Sequence, residues 1–168
     1  MITGTGLVQA AVAASYAIAE YKPAAVVSTG SAGSFGRFSV GDIISFSKVI
    51  SPDNDLTRFH LPKGAMLSDN HQTIVTLPLV SENDYILSSS SAFESGDNRK
   101  IGDIAPDAAD MEAFGVAYAA FKMHIPCLAV KMITDIIGED LRLPDYSFRL
   151  RKMREELPSA IEKALSVL

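Results

Sequence analysis

Apolar positions along the chain form short continuous runs and longer stretches with helical spacing. Residues 125–134 are mostly apolar and rich in branched side chains, and the run ends on Asp135. A run of this length and composition predicts a strand that is covered on both faces of a sheet. Similar but shorter patterns predict strands at residues 24–29, 42–50 and 84–89, and a brief one at 108–112.

The helical stretches lie between and after these strands. Small and apolar residues predict helices over Leu7–Tyr21 and Ala113–Lys122, and a charged helix with an apolar stripe runs to the C-terminus. Pro158 should kink or restart that last helix. Strands that feed short loops, with helices between them, are typical of a three-layer α/β/α sandwich. A chain of 168 residues suffices for one such fold, so we expect a single domain over residues 1–168.

Composition narrows the class of protein. Apolar residues make up 48% of the chain, charged residues 21%, and the net charge is −5, which is typical of a soluble globular protein. The mild acidity and the lack of a basic patch argue against a nucleic-acid partner. No segment is long and apolar enough to predict a membrane helix. The single cysteine, Cys127, is expected to be a small buried side chain in a cytoplasmic protein.

Acidic residues end two of the predicted strands. Asp135 follows the buried run, and Glu112 stands where the strand at 108–112 turns into a helix. Both are candidate site residues, because α/β folds bind ligands at the C-terminal ends of their strands. Glu112 could equally be a first-turn acid favoured by the helix dipole. The three histidines have no partners at metal-ligand spacing, so we expect no metal and no other cofactor.

Four motifs occur in an order that resembles a known family. Residues 27–33, 40–43, 110–113 and 134–135 are similar to motifs of the purine nucleoside phosphorylase/nucleosidase family, and within it to the 5′-methylthioadenosine/S-adenosylhomocysteine nucleosidases. The resemblance covers nearly the whole chain. It implies a nucleoside phosphorylase-like fold with a central mixed sheet. It also implies hydrolysis of the N-glycosidic bond of a small-molecule purine nucleoside in methionine salvage, with adenine as the leaving base.

The resemblance also implies roles for individual residues. Asp135 matches the acid that donates a proton or hydrogen bond to N7 of the leaving adenine, for which it must be protonated. Glu112 matches the acid that accepts hydrogen bonds from the ribose hydroxyls. Met111 matches the residue that packs on the sugar, and Phe93 matches the aromatic residue that stacks on the base. Ser31, Ala32 and Gly33 match a small loop beside the ribose. Phe148 or, alternatively, Tyr146 matches an aromatic lid over the substrate.

The chain departs from the family pattern at its start. That pattern has further strands before the glycine turn at residues 4–6, and they carry the acid implied to activate the attacking water. We therefore expect an N-terminally truncated form of the fold, through a misassigned start, a truncated gene or a lost segment. In the last case, Asp55 and Glu94 are candidates for activating the water.

Two other functions remain open on the sequence alone. One is phosphorolysis, for which Arg37 and Arg58 are candidate phosphate ligands. The other is a purine-binding remnant that keeps Asp135 and Glu112 without turnover. The family commonly forms dimers, and apolar side chains in the long irregular segment 51–66 suit an interface, so we also predict a homodimer.

Overall fold

Three α-helices, a short 3-10 helix at Thr57–Phe59 and nine strands make up the regular structure that can be described. The computed structural model of the chain describes residues 1–67, 72–93, 101–140 and 142–168. Its helices are α1 (Leu7–Tyr21), α2 (Ala113–Lys122) and α3 (Leu143–Leu165). Its strands are β1 (Val26–Ser34), β2 (Ile43–Phe46), β3 (Lys48–Ile50), β4 (Met66–Leu67), β5 (Thr73–Ile74), β6 (Thr76–Pro78), β7 (Ile86–Ser89), β8 (Ala108–Asp110) and β9 (Cys127–Ile136). Within the described ranges, no helix has the length and apolar character needed to cross a membrane.

Seven of the described strands form one mixed sheet. Their order is β2-β9-β1-β8-β7-β3-β6, and β4 and β5 form a separate pair. Parallel pairing joins β1 to β9, β7 to β8 and β3 to β7, whereas β1–β8, β2–β9 and β3–β6 are antiparallel. A mixed central sheet with flanking helices is the fold class that the sequence predicts.

Strand β9 is buried along its length. Every residue from Cys127 to Thr134 is buried, which means that both faces of the strand are covered, as its apolar sequence predicts. Helices α2 and α3 contact β9, and α1 packs against α2. Gly115 permits this close helix packing, because a Cβ there would lie 2.4 Å from the carbonyl oxygen of Leu7 and 3.0 Å from the amide nitrogen of Ala11.

Several element boundaries differ from the sequence predictions. Residues 30–33, expected to form a loop after a strand, belong to β1, because pairing with β9 continues to Ser34. The predicted strand at 42–50 is two strands, since β2 pairs with β9 whereas β3 pairs with β6 and β7. Helix α3 begins at Leu143, whereas the sequence predicts a start after Phe148, and it does not restart at Pro158. Pro158 lies inside the helix, next to the buried side chain of Leu157.

Two stretches that the sequence leaves ambiguous are only partly described. The sequence of residues 70–77 fits either a short helix or a strand, and the described part contains β5 and the start of β6. The sequence of residues 98–104 predicts a short helix or a turn, and the described part contains a bridge between Ile101 and Ile104. Residues 68–71, 94–100 and 141 lie outside the described ranges.

Candidate active site

A cavity of ≈ 220 Å³ opens where β1, β8 and β9 meet. Asp135 lines it from the end of β9, and Glu112 lines it from the turn between β8 and α2. Two carboxyl groups from separate parts of the chain therefore border one space. Of the site residues predicted from the sequence, those that line the cavity are Asp135, Glu112, Met111, Phe93, Ser31, Ala32 and Gly33.

A β-bulge sets the position of Asp135. The register between β1 and β9 passes from Ala32–Ile133 to Gly33–Asp135, so Thr134 has no Cα partner in β1. An extra residue of this kind redirects the side chains that follow it. The Thr134 hydroxyl donates a hydrogen bond to Oδ1 of Asp135 at 2.9 Å. The other carboxyl oxygen, Oδ2, lies close to Gly33. A Cβ added to Gly33 would be only 2.7 Å from it. A Cβ at residue 33 would therefore force the carboxyl group out of this position.

Glu112 is held by the N-terminal end of α1. Gly6 is the N-cap residue of that helix, and its backbone amide donates a hydrogen bond to Oε1 of Glu112 at 3.0 Å. The amide groups at a helix N-terminus carry partial positive charge, which favours an anionic partner. The carboxylate is thus anchored through one oxygen at the cavity wall, to which Thr5 also contributes.

A buried ion pair lies beside these two acids. Asp110 lines the cavity, and its Oδ2 is 2.8 Å from Nζ of Lys131, the two side chains being 0% and 1% exposed. The Ser89 hydroxyl donates to Oδ1 of Asp110 at 2.5 Å, and the amide of Ala113 donates to Oδ2 at 2.9 Å. A buried carboxylate needs such partners to remain charged. The pair joins β8 to β9, and its hydrogen bonds extend to β7 and α2.

Aromatic rings border the opening of the cavity. Phe93 lines it although its side chain is 70% exposed. Tyr146, in the first turn of α3, also lines it, and its hydroxyl oxygen is 3.3 Å from Oγ of Ser31. Of the two lid candidates, Phe148 is 61% exposed and is not among the described lining residues. The physical reason is that two steps along a helix rotate a side chain by roughly 200°.

Of the alternative candidates from the sequence, Asp55 and Arg37 are described and do not line the cavity. Asp55 accepts hydrogen bonds from the hydroxyl and amide of Thr57, which lower the pKa of its carboxyl group. Glu94 lies outside the described residues. Arg37 pairs with Asp107 at 2.7 Å. Among the lining residues that the structure describes there is no arginine or lysine.

Part of the site carries little signal in the sequence. A lone Gly-x-Gly predicts no more than a tight turn, yet residues 4–6 supply the amide that holds Glu112. The bulge at Thr134 has no sequence signature of its own. A lysine inside an apolar strand was the one available sign of the Lys131–Asp110 pair, because a buried lysine requires a partner.

The arrangement suits acid chemistry on a bound ligand. Of two carboxyl groups on one cavity, a protonated one can donate to a leaving group while an ionised one accepts hydrogen bonds from hydroxyls. In the described part of the chain, no cluster of His, Cys, Asp and Glu side chains is arranged to hold a metal ion.

Comparison with known proteins places the chain in a family. The sequence model of the phosphorylase superfamily matches residues 1–166. The 5′-methylthioadenosine/S-adenosylhomocysteine nucleosidase of Bacillus subtilis is 28% identical over an alignment of 156 residues, which covers 82% of this chain and 68% of that relative.

Solved structures share the fold. A mutant of Helicobacter pylori MTAN with 5′-methylthioadenosine in its active site superposes with a TM-score of 0.84 at 17% identity, covering 99% of this chain and 78% of that one. The corresponding nucleosidase of Colwellia psychrerythraea, in complex with adenine, gives a TM-score of 0.83 at 22% identity and covers 99% and 76% of the two chains.

Proposed function

The chain belongs to the phosphorylase superfamily, and we propose that it hydrolyses the N-glycosidic bond of adenine nucleosides of the 5′-methylthioadenosine/S-adenosylhomocysteine type. The observation that carries the proposal is that Asp135 and Glu112 line the same cavity. Relatives that bear this nucleosidase name support the substrate class. The products would be adenine and the thioribose.

Asp135 is the proposed acid for the leaving base. Cleavage leaves negative charge on the purine as the sugar becomes an oxocarbenium-like cation, so a proton or hydrogen bond to N7 lowers the barrier. Thr134 donates to Oδ1 of Asp135, which leaves Oδ2 as the oxygen to carry the proton. The close approach of Oδ2 to Gly33 limits the positions that this oxygen can take.

Glu112 is the proposed partner of the ribose hydroxyls. The Gly6 amide already donates a hydrogen bond to Oε1 of Glu112, so Oε2 is the oxygen that can accept one from a hydroxyl in the cavity. Met111 next to it supplies apolar contact for the sugar, and Ser31, Ala32 and Gly33 let the ligand approach the backbone of β1. Phe93 and Tyr146 are the aromatic rings available to cover the base and the opening.

Hydrolysis is favoured over phosphorolysis by the charges around the cavity. A phosphate dianion needs cationic side chains or converging backbone amides. The described lining residues include no arginine or lysine, and the sequence candidate Arg37 is paired with Asp107. The nearby Lys131 is already engaged by Asp110.

The test is the release of adenine from 5′-methylthioadenosine, measured with and without phosphate. We expect free thioribose in both cases and no dependence on phosphate. Asp135→Asn and Glu112→Gln should each lower kcat/KM by on the order of 100-fold or more, because each removes a proton donor or a charged acceptor. Asp140→Asn, an exposed acid five residues from Asp135, is the matched control and should keep full activity.

Three outcomes would contradict the proposal. Formation of a sugar 1-phosphate would mean phosphorolysis. Binding of adenine without turnover, measured by calorimetry, would mean a purine-binding protein that is not a nucleosidase. Full turnover by Asp135→Asn would show that Asp135 is not the acid that assists the leaving base.

We also propose that the protein acts in methionine salvage in the cytoplasm as a homodimer. The segment 51–66 carries Phe59, whose side chain is 73% exposed, and Leu67 beyond it is 51% exposed. Exposed large apolar side chains of this kind are suited to burial in an interface. Light scattering at micromolar concentration should give twice the chain mass, and Phe59→Ser should shift it toward the monomer. A monomer in the unsubstituted protein would refute the dimer.

A further inference from the structure

The bulge that positions Asp135 has a second support, from α3. The carbonyl oxygen of Thr134 accepts a hydrogen bond from Nη1 of Arg149 at 2.5 Å. Thr134 is the residue that β1 skips in the register, and it is 1% exposed. A buried backbone carbonyl without a partner is costly, and a charged donor makes a stronger hydrogen bond than a neutral one.

The same contact ties the wall of the cavity to its lid. Arg149 lies in the second turn of α3, one helical turn from Tyr146, which lines the cavity and approaches Ser31 in β1. The guanidinium group thereby fixes the start of α3 against the end of β9. Thr134 then completes the connection, since its backbone accepts from Arg149 and its hydroxyl donates to Asp135.

We propose that Arg149 is a positioning residue for Asp135, which holds the bulge at Thr134 so that the carboxyl group meets the leaving base and the lid residue Tyr146 stays beside it. This inference rests on the proposed function. Arg149 is not itself a catalytic residue, because the atom that it contacts is the Thr134 carbonyl oxygen and not a reacting group.

The first test compares Arg149→Gln with Arg149→Lys and with the control Arg151→Gln. Arg151 is exposed on the same helix, with its guanidinium 6.0 Å from the ring of Phe148. Arg149→Gln should lower kcat on 5′-methylthioadenosine on the order of 10- to 100-fold with KM changed by no more than about 3-fold, since misplacement of a catalytic group costs rate more than binding. Arg149→Lys should recover part of the loss, and Arg151→Gln should show none.

Dependence on the leaving group separates positioning from a general structural defect. The 4-nitrophenyl O-glycoside of 5-methylthioribose releases 4-nitrophenolate, a leaving group that needs no proton, so its cleavage should be nearly unaffected by Asp135→Asn and by Arg149→Gln. In the Asp135→Asn background, Arg149→Gln should add little further loss on 5′-methylthioadenosine. Equal losses of rate on both substrates, or fully additive effects, would overturn the inference.

A readout without substrate keeps this inference distinct from the proposed function. The amide of Ile137, just beyond the bulge, donates to the carbonyl of Ser34 at 2.8 Å. Its hydrogen exchange should accelerate at least about 10-fold in Arg149→Gln relative to Arg151→Gln, while amides near Ala129 stay protected. If the unsubstituted protein released no adenine, the proposed function would fail, and this exchange would still decide whether Arg149 holds the bulge. Unchanged exchange at Ile137 would refute it.

Discussion

The backbone amide of Gly6 donates a 3.0 Å hydrogen bond to Oε1 of Glu112, a residue 106 positions later in the chain. The contact joins the N-terminal end of α1 to the turn before α2, and it anchors one oxygen of the carboxylate while the residue lines the cavity. Because a single side chain must reach both the amide and the ligand, its length as well as its charge matters.

Glu112→Asp tests that requirement. The substitution keeps the charge but shortens the side chain by one methylene, so it cannot keep the amide contact and reach the sugar at the same time. We expect kcat/KM for 5′-methylthioadenosine to fall on the order of 10- to 100-fold. Glu20→Asp, an exposed acid on α1, is the matched control. Full activity of Glu112→Asp would show that the geometry around Gly6 does not govern the site.

Two glycine substitutions should separate activity from stability. A Cβ at residue 33 would meet Oδ2 of Asp135 at 2.7 Å, at the end of a side chain that can move, so Gly33→Ala should lose activity with little loss of stability. A Cβ at residue 115 would meet the Leu7 carbonyl at 2.4 Å, which is backbone, so Gly115→Ala should force α1 and α2 apart. We expect a destabilisation of about 1–3 kcal/mol for Gly115→Ala by chemical unfolding. The opposite pattern in the two variants would contradict this assignment.

Removal of the buried ammonium group should destabilise the fold. Lys131→Met leaves Asp110 as a buried charge without its 2.8 Å ion-pair partner, for which the expected cost is about 3–5 kcal/mol in urea unfolding. Lys152→Met removes the partner of Glu156 in an ion pair whose side chains are 48% and 41% exposed, so it should cost less than about 1 kcal/mol. Similar losses in the two variants would mean that burial does not determine how much the Lys131–Asp110 pair stabilises the fold.

Cys127 should be inert toward thiol reagents until the protein unfolds. Burial raises the pKa of its thiol from 9.0 to about 12, an effect that the charge of Lys131 only partly opposes. At pH 8 the folded protein therefore holds a neutral, inaccessible thiol, and labelling should follow the unfolding rate. Rapid labelling of the folded protein at pH 8 would contradict the burial.

The same pKa difference has a consequence for stability at high pH. Below pH 9 the thiol is neutral in both the folded and the unfolded protein, so its full contribution to the free energy of unfolding is present. As pH rises from 9 toward 12, the unfolded chain ionises first and stability is lost. Relative to Cys127→Ala, the free energy of unfolding should fall by roughly 1 kcal/mol between pH 9 and 10. Parallel pH profiles for the two proteins would contradict it.

The sequence determines the elements that local periodicity specifies. α1 and α2 have the bounds that their apolar spacing predicts, and the buried strand β9 follows from an apolar run ending in an acid. The motif resemblance also selects seven of the sixteen described residues that line the cavity, because motifs preserve residue type and order. It does not choose between Tyr146 and Phe148 for the lid, since that choice depends on where α3 begins.

What only the tertiary structure decides is how distant segments meet. The skipped register at Thr134, the Gly6–Glu112 hydrogen bond, the Lys131–Asp110 pair and the Arg149 contact all join residues whose proximity depends on the packing of the whole sheet and its helices. Local propensity acts over a few residues and therefore predicts helices and strands. Strand register and interhelical contacts are set by the free energy of burying many side chains together, which no short stretch of sequence specifies.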